Sequence, residues 1–237
     1  GFDLEAVGVI HSAKSEEFTD KIFFITEDNE INLHEYDPET QTASFLKNLK
    51  SGYGFNQVFD FETDRENAFV ATNKGIKKIH TETLTEQFLD LDIWDRTDIH
   101  LFQNQLLVCA PNLYLASYNK HDLSLYFNIP GEMGHGSAIA VDENLAYVAI
   151  NGYGGVYPEG PKDGQNGRLA VINLETQSLV AEYPYPDKVN SISTLFAKDG
   201  IIYGINPIYW DWELNEQVPG KFLSFDTRTS EYSVTEN

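Results

Sequence analysis

The side chains that could do chemistry in this chain are few in kind and scattered in sequence. The six histidines, His11, His34, His80, His100, His121 and His135, include no pair at metal-ligand spacing. Only His100 and His135 could be brought together by folding, and a zinc or copper site there would need Asp98 or Glu132 as a further ligand. A surface or channel-lining role is the plainer reading, so no metal is assigned. Asp60, Asp98 and Glu132 lie near the ends of apolar runs, and two carboxylates at the right separation suffice for glycoside hydrolysis. With 37 acidic residues in the chain, however, carboxylates fall near any proposed site. Catalysis of that kind is the alternative reading, and no residue is assigned as catalytic. The single cysteine, Cys109, sits in an apolar run and is expected to be a buried thiol rather than a nucleophile. No nucleophile elbow or Cys/His dyad is present. Gly131, Gly134 and Gly136 have the wrong spacing for a phosphate-binding loop, and tight-turn geometry is expected for them. The stretch 163–167 reads as a turn rather than a calcium loop. No cofactor is assigned.

Recognition is a better match to the residues available. Two stretches, 151–167 and 206–220, exceed the length of ordinary connections and carry Tyr153, Tyr157, Tyr209, Trp210 and Trp212 among glycine and proline. Flat rings with polar edges suit a sugar ring, a planar small molecule or a protein partner, although part of this set must pack the loops themselves. Tyr53, Asn56, His100, His135 and Asn190 form a second, polar group in other connections.

Charge and hydropathy narrow the class of partner. Sixteen basic against 37 acidic residues give a formal charge of −21, which repels phosphate backbones, so nucleic acid is not expected as a partner. No run approaches the length of a membrane-crossing helix, and none is expected. Gly1 onward lacks the layout of a signal peptide. With 41% hydrophobic residues the chain has ample material for a core.

The elements that must position these residues are repetitive. Five times, an apolar run ends in a short polar turn and leads into another alternating run. The turns are marked by Asp37, His80, Asn119, Asn173 and Asp226, at intervals of roughly 40 to 55 residues, a period suited to propeller blades. Upstream of each marker lies a run such as Ala68-Phe69-Val70-Ala71 or Ala146-Tyr147-Val148-Ala149-Ile150 that reads as a buried strand. A further run precedes it, as in Ser137 to Val141. Each unit thus holds four strands, a to d in chain order. No amphipathic helix with caps is expected anywhere. The sequence therefore predicts an all-β fold, a β-propeller of about five four-stranded blades forming a single domain over 1–237. The two long stretches are b to c connections of the fourth and fifth units, and consecutive blades would bring them together.

Runs such as Leu169-Ala170-Val171-Ile172-Asn173-Leu174-Glu175-Thr176 and Phe222-Leu223-Ser224-Phe225-Asp226-Thr227-Arg228-Thr229, each following a strand of the Tyr147-Val148-Ala149-Ile150 kind, resemble the YVTN-type, quinoprotein-dehydrogenase-like propellers. The strict Tyr-Val-Thr-Asn signature is absent. Its nearest echoes are Val70-Ala71-Thr72-Asn73 and Val148-Ala149-Ile150-Asn151. The resemblance implies a propeller and, with the acidic composition, an extracytoplasmic protein of a bacterial surface or periplasm. That superfamily includes surface proteins, ligand binders and dehydrogenase subunits.

Overall fold

The computed structural model describes residues 4–10, 20–26, 31–37, 40–48, 58–64, 66–91, 97–151, 167–186, 189, 191–207, 209–211 and 216–236. All regular structure among them is β. The chain divides into two compact units, Gly1–Trp94 and Asp95–Asn237.

The first unit holds two antiparallel meanders. β1 (Leu4–Ile10), β2 (Asp20–Thr26), β3 (Ile31–Asp37) and β4 (Thr42–Asn48) pair in chain order, as do β5 (Val58–Thr63), β6 (Asn67–Thr72), β7 (Gly75–His80) and β8 (Glu86–Asp90). Burial in the second meander follows strand position. β6 is buried along its whole length, whereas the last strand, β8, is largely exposed. That is why β6 reads as an unbroken apolar run and β8 does not.

The second unit is built on the same plan, with two repeats fused. β9 (Asp98–Phe102), β10 (Gln105–Asn119), β11 (Leu125–Asp142), β12 (Leu145–Asn151), β13 (Arg168–Asn173) and β14 (Ser178–Pro184) make one six-stranded sheet. β10 supplies strands b and c of the third repeat. Its first part pairs with β9 and its second with β11. β11 supplies strand d of the third repeat, then strand a of the fourth, where it pairs with β12. A further sheet joins β15 (Thr194–Lys198), β16 (Ile201–Asn206), β19 (Lys221–Asp226) and β20 (Glu231–Glu236). Between β16 and β19 lies a two-stranded ribbon of β17 (Tyr209–Asp211) and β18 (Glu216–Val218).

The expected turn near Pro111-Asn112 is present: the Lys120 N–H bonds to the Asn104 carbonyl (3.0 Å), so β10 doubles back between its two halves. The expected turn in 131–136 is not a break, because β11 runs through it with a register shift at Gly136/Ala138, a bulge that bends a strand without ending it. Gly136 is needed for close approach rather than for a tight turn. A Cβ there would lie 2.8 Å from the Leu113 carbonyl oxygen and 2.9 Å from the Cys109 Cβ.

Five marker turns share one geometry. The residue four positions after each marker, Gln41, Leu84, Leu123, Gln177 and Ser230, has φ of 55°, 57°, 61°, 55° and 59°. Each marker side chain caps the turn by accepting backbone N–H bonds. Asp37 accepts from Thr40, His80 from Glu82 and Thr83, Asn119 from His121, Asn173 from Glu175 and Thr176, and Asp226 from Arg228. In four repeats the next residue also ties back to the a to b turn: Thr81 N to Glu66 O, Lys120 N to Asn104 O, Leu174 N to Asn144 O, and Thr227 N to Gly200 O. Asn104 and Lys120 thus close a b–c hairpin inside β10, like its counterparts.

Among the described residues, two cores lie within the second unit. Leu107, Cys109 and Leu115 of the third repeat pack with Ile139, Val148 and Ile172 of the fourth. Ala140, Tyr147, Ala149 and Leu169 of the fourth pack with Ile192, Ile202, Leu223 and Phe225 of the fifth. Cys109, the single cysteine of the sequence, is fully buried in the first of these seams.

Candidate functional site

The b to c connections differ sharply among repeats. In the second repeat, Thr72 and Gly75 pair across the two-residue turn Asn73-Lys74. In the fourth and fifth, Ile150 pairs with Arg168 and Asn206 with Lys221, and all of 152–166 or β17 and β18 lies between. Tyr209 and Trp210 fall on β17, opposite Val218 and Gln217. Tyr153, Tyr157 and Trp212 lie outside the described residues, as do Tyr53, Asn56 and Asn190.

The roots of both insertions meet on one segment. Asn151, the last residue of β12, accepts the Ile192 N–H at Oδ1 (2.9 Å). Asn206, the last residue of β16, donates from Nδ2 to the Ser191 carbonyl (2.6 Å). Ser137 on β11 adds a bond from its hydroxyl to the Ile192 carbonyl (2.7 Å). Ser191 and Ile192 form the entry to β15, so side chains from two repeats fix the same d to a connection. Asn206 is fully buried and Ser137 nearly so, which strengthens bonds that water would otherwise compete for.

The exit of the first insertion is clamped as well. Arg168, opening β13, pairs through Nε with Glu182 on β14 (2.5 Å) and donates to the Tyr114 hydroxyl on β10. Tyr114 donates in turn to Glu182 (2.9 Å), and the guanidinium lies 5.3 Å from the centre of its ring. Burial works against the Arg168 charge, but the bonds to Glu182 and Tyr114 outweigh it and hold the pKa above the ordinary arginine value. Burial, then the bond to Glu182, raises that of Tyr114.

Of the candidate carboxylates, Asp98 has a described partner. The Asp98 Oδ2 accepts the Ile139 N–H at 2.6 Å, so one inner strand satisfies a backbone donor of the next. Asp60 follows a bulge in β5, in the other compact unit. Glu132 and His135 lie along β11, where the His135 backbone pairs with Asn151 and Pro111. His100 is half-buried on β9, opposite Leu107. Among the described residues no three His, Cys, Asp or Glu side chains group as metal ligands. Sequence reasoning missed the pinning roles of Asn151 and Asn206. Their one signal was position, an asparagine ending strand b just before each long connection.

Solved structures share this arrangement. The chain superposes on Sqt1 of Saccharomyces cerevisiae with a TM-score of 0.64 at 11% identity, over 90% of this chain and 58% of that one. It superposes on the nidogen propeller of a nidogen/laminin complex with a TM-score of 0.54 at 9% identity, over 97% and 80%. For the computationally designed Ika4 protein the values are 0.51 and 11%, over 78% and 93%. No protein-family model matches the chain, and no curated protein matches it by sequence. The class is therefore fixed by fold: an all-β chain of the β-propeller kind. The chain spans little more than half the length of the Sqt1 chain it matches. No helix among the described residues is long and apolar enough to cross a membrane.

Proposed function

We propose that this propeller is a non-enzymatic binding protein whose recognition surface is formed by the insertions 151–167 and 206–220, with a protein as partner. One observation carries the reading. The b to c connection that closes in two residues in the second repeat is opened in the fifth into an extra antiparallel ribbon, and that ribbon bears Tyr209 and Trp210. Backbone added beyond what the sheet needs, and anchored by Asn206 at its root, is the usual place for binding residues on a rigid scaffold. A protein partner is favoured over a glycan or small molecule because nidogen, of similar fold, was solved in complex with laminin. An extracytoplasmic location belongs to the same proposal and is supported by the superfamily resemblance and the acidic composition.

The test is an array of immobilised proteins and glycans, probed with the wild-type chain and with Tyr157→Ala and Trp212→Ala. Truncating an aromatic anchor at a hot spot costs about 2 kcal/mol, roughly thirtyfold in affinity. Both variants should lose a wild-type protein signal by that factor while melting at nearly the wild-type temperature. If both melt earlier and neither alters binding, the rings are loop cores, and the surface around His100 and His135 takes their place.

A further inference from the structure

Among the described residues of the second unit, no other repeat covers one face of the fifth repeat's sheet. Along β15, β16 and β19 the side chains alternate, and Leu195, Ile202, Leu223 and Phe225 turn into the core shared with the fourth repeat. On the opposite face stand Phe196, Tyr203, Ile205 and Phe222. Phe196 is 57% exposed, Ile205 48% and Phe222 44%. The rings of Phe196, Tyr203 and Phe222 form a row, with centroids 6.1 and 5.8 Å apart and planes within 29°. An apolar groove of about 330 Å³ runs across them, with Lys198 at its edge. Scattered exposed apolar residues are ordinary, but a contiguous aromatic face of this kind marks an interaction site.

The molecule shows how such a face is used. Aligning repeats on their shared backbone bonds, Leu174 N to Asn144 O and Thr227 N to Gly200 O, makes Tyr203 equivalent to Tyr147, Ile205 to Ala149, Phe222 to Leu169 and Phe196 to Ala140. All four fourth-repeat residues are buried in the seam against the fifth repeat. One repeat earlier, the same alignment through Lys120 N to Asn104 O makes Leu107, Cys109 and Leu115 equivalent to Tyr147, Ala149 and Leu169. Those residues are buried against the fourth repeat. Twice in succession, therefore, this face is covered by the repeat next in chain order.

We propose that the Phe196, Tyr203, Ile205 and Phe222 face is the seat of a further four-stranded repeat, following β20 in the same polypeptide. A second copy of the chain is a poorer occupant. Four strands of five or six residues present a face of roughly 300 Å², far short of the ~800 Å² per partner in a stable complex. Two chains of charge −21 also repel. A tethered repeat escapes both limits because its effective concentration is set by the linker.

The test compares the chain 1–237 with the same chain carrying a tandem duplicate of residues 185–237 at its end. In 1–237, Phe222→Glu should shift the melting temperature by no more than about a degree and reduce dye binding to exposed apolar surface. Leu169→Glu, at the equivalent covered position, should unfold the second unit. In the extended chain, the appended copy carries leucine at the three equivalent ring positions, so that the two copies are distinguished. Hydroxyl-radical labelling of the original Phe196, Tyr203 and Phe222 should then fall severalfold, and Phe222→Glu in the original copy should become destabilising. Three outcomes overturn the proposal. Phe222→Glu destabilising a monomeric 1–237 as much as Leu169→Glu would mean the face is already covered within that chain. A dimer dissociated by Phe222→Glu would mean a second copy covers it. Undiminished labelling in an extended chain whose appended repeat is protected from hydrogen exchange, and so folded, would mean no repeat seats there. The Phe222→Glu comparison stands whether or not the appended repeat folds.

Discussion

The second and fifth repeats follow one strand plan and diverge at a single connection. In the second, the Thr72 hydroxyl donates to the Gly75 carbonyl (2.9 Å) and accepts the Lys74 N–H (3.2 Å), so the turn is closed by its own side chain. In the fifth, the residue equivalent to Thr72 is Asn206, whose amide reaches outward to Ser191 instead. Its neighbouring backbone continues into β17 and β18. A connection that bonds to itself can only join two strands. One whose root is held by a neighbouring segment can carry additional chain without loosening the sheet, and that is where the two repeats part in function.

The largest effect is expected where the closed connection has no room. Gly75 has φ of 136°, and a Cβ built on it would lie 2.0 Å from the Leu89 carbonyl oxygen. Gly75→Ala combines a disfavoured backbone conformation with a clash against backbone, and should cost about 3 kcal/mol or more. Chemical denaturation followed by far-ultraviolet circular dichroism reads this directly. A loss under 1 kcal/mol would show that the second repeat is as pliant as the fifth, and the contrast drawn above would fail.

A smaller effect tests the open connection. Asn151→Ala leaves the Ile192 N–H without its acceptor next to a core residue, which should cost about 1 to 2 kcal/mol. Because Asn151 roots the insertion and Ile192 begins the fifth repeat, the loss should fall on both. Hydrogen exchange should speed up at Ile192 and Ser193 while β6 and β7 keep their protection. Uniformly faster exchange would mean that Asn151 supports the unit at large.

How far the sequence could be read follows from these particulars. The marker turns were legible because their chemistry is local. An Asp, Asn or His side chain capping its own turn needs no distant partner, and all five behave alike. The buried b strands were legible because burial on both faces leaves an unbroken apolar run, as in β6. The continuity of β11 was not, since the glycines at 131, 134 and 136 carry the local marks of a break while a bulge absorbs it. Nor was the β17–β18 ribbon, whose strands of three residues are too short to show alternation. Asp98 was read as a carboxylate available for chemistry, and only the neighbouring strand reveals that it accepts a backbone N–H. Local chemistry can be read from one sequence, whereas partners some 40 residues apart must first be folded together.

The smallest predicted effect separates two marker turns that differ in one atom. Asn173 and Asp226 hold the same position, and each accepts backbone N–H bonds from the residues that follow. Asp226 also receives the Arg228 guanidinium, through Nη2 at 3.0 Å and Nε at 3.2 Å. These bonds and the Arg228 charge lower its pKa from 3.8 to about 2. A carboxyl depressed on folding contributes stability that is fully present above its unfolded value, near 4, and is lost as the pH falls through about 2. Asn keeps the backbone bonds, as Asn173 demonstrates, but cannot titrate. The wild-type melting temperature should therefore exceed that of Asp226→Asn slightly near neutrality, and the gap should close between about pH 4 and pH 2. The pair is on the surface, so added salt should narrow the gap at neutral pH. Taking the difference between the two chains cancels the many other carboxylates that titrate in that window. A gap that stays constant across it would show that Arg228 adds nothing to the turn beyond its backbone N–H, leaving the two marker turns energetically the same.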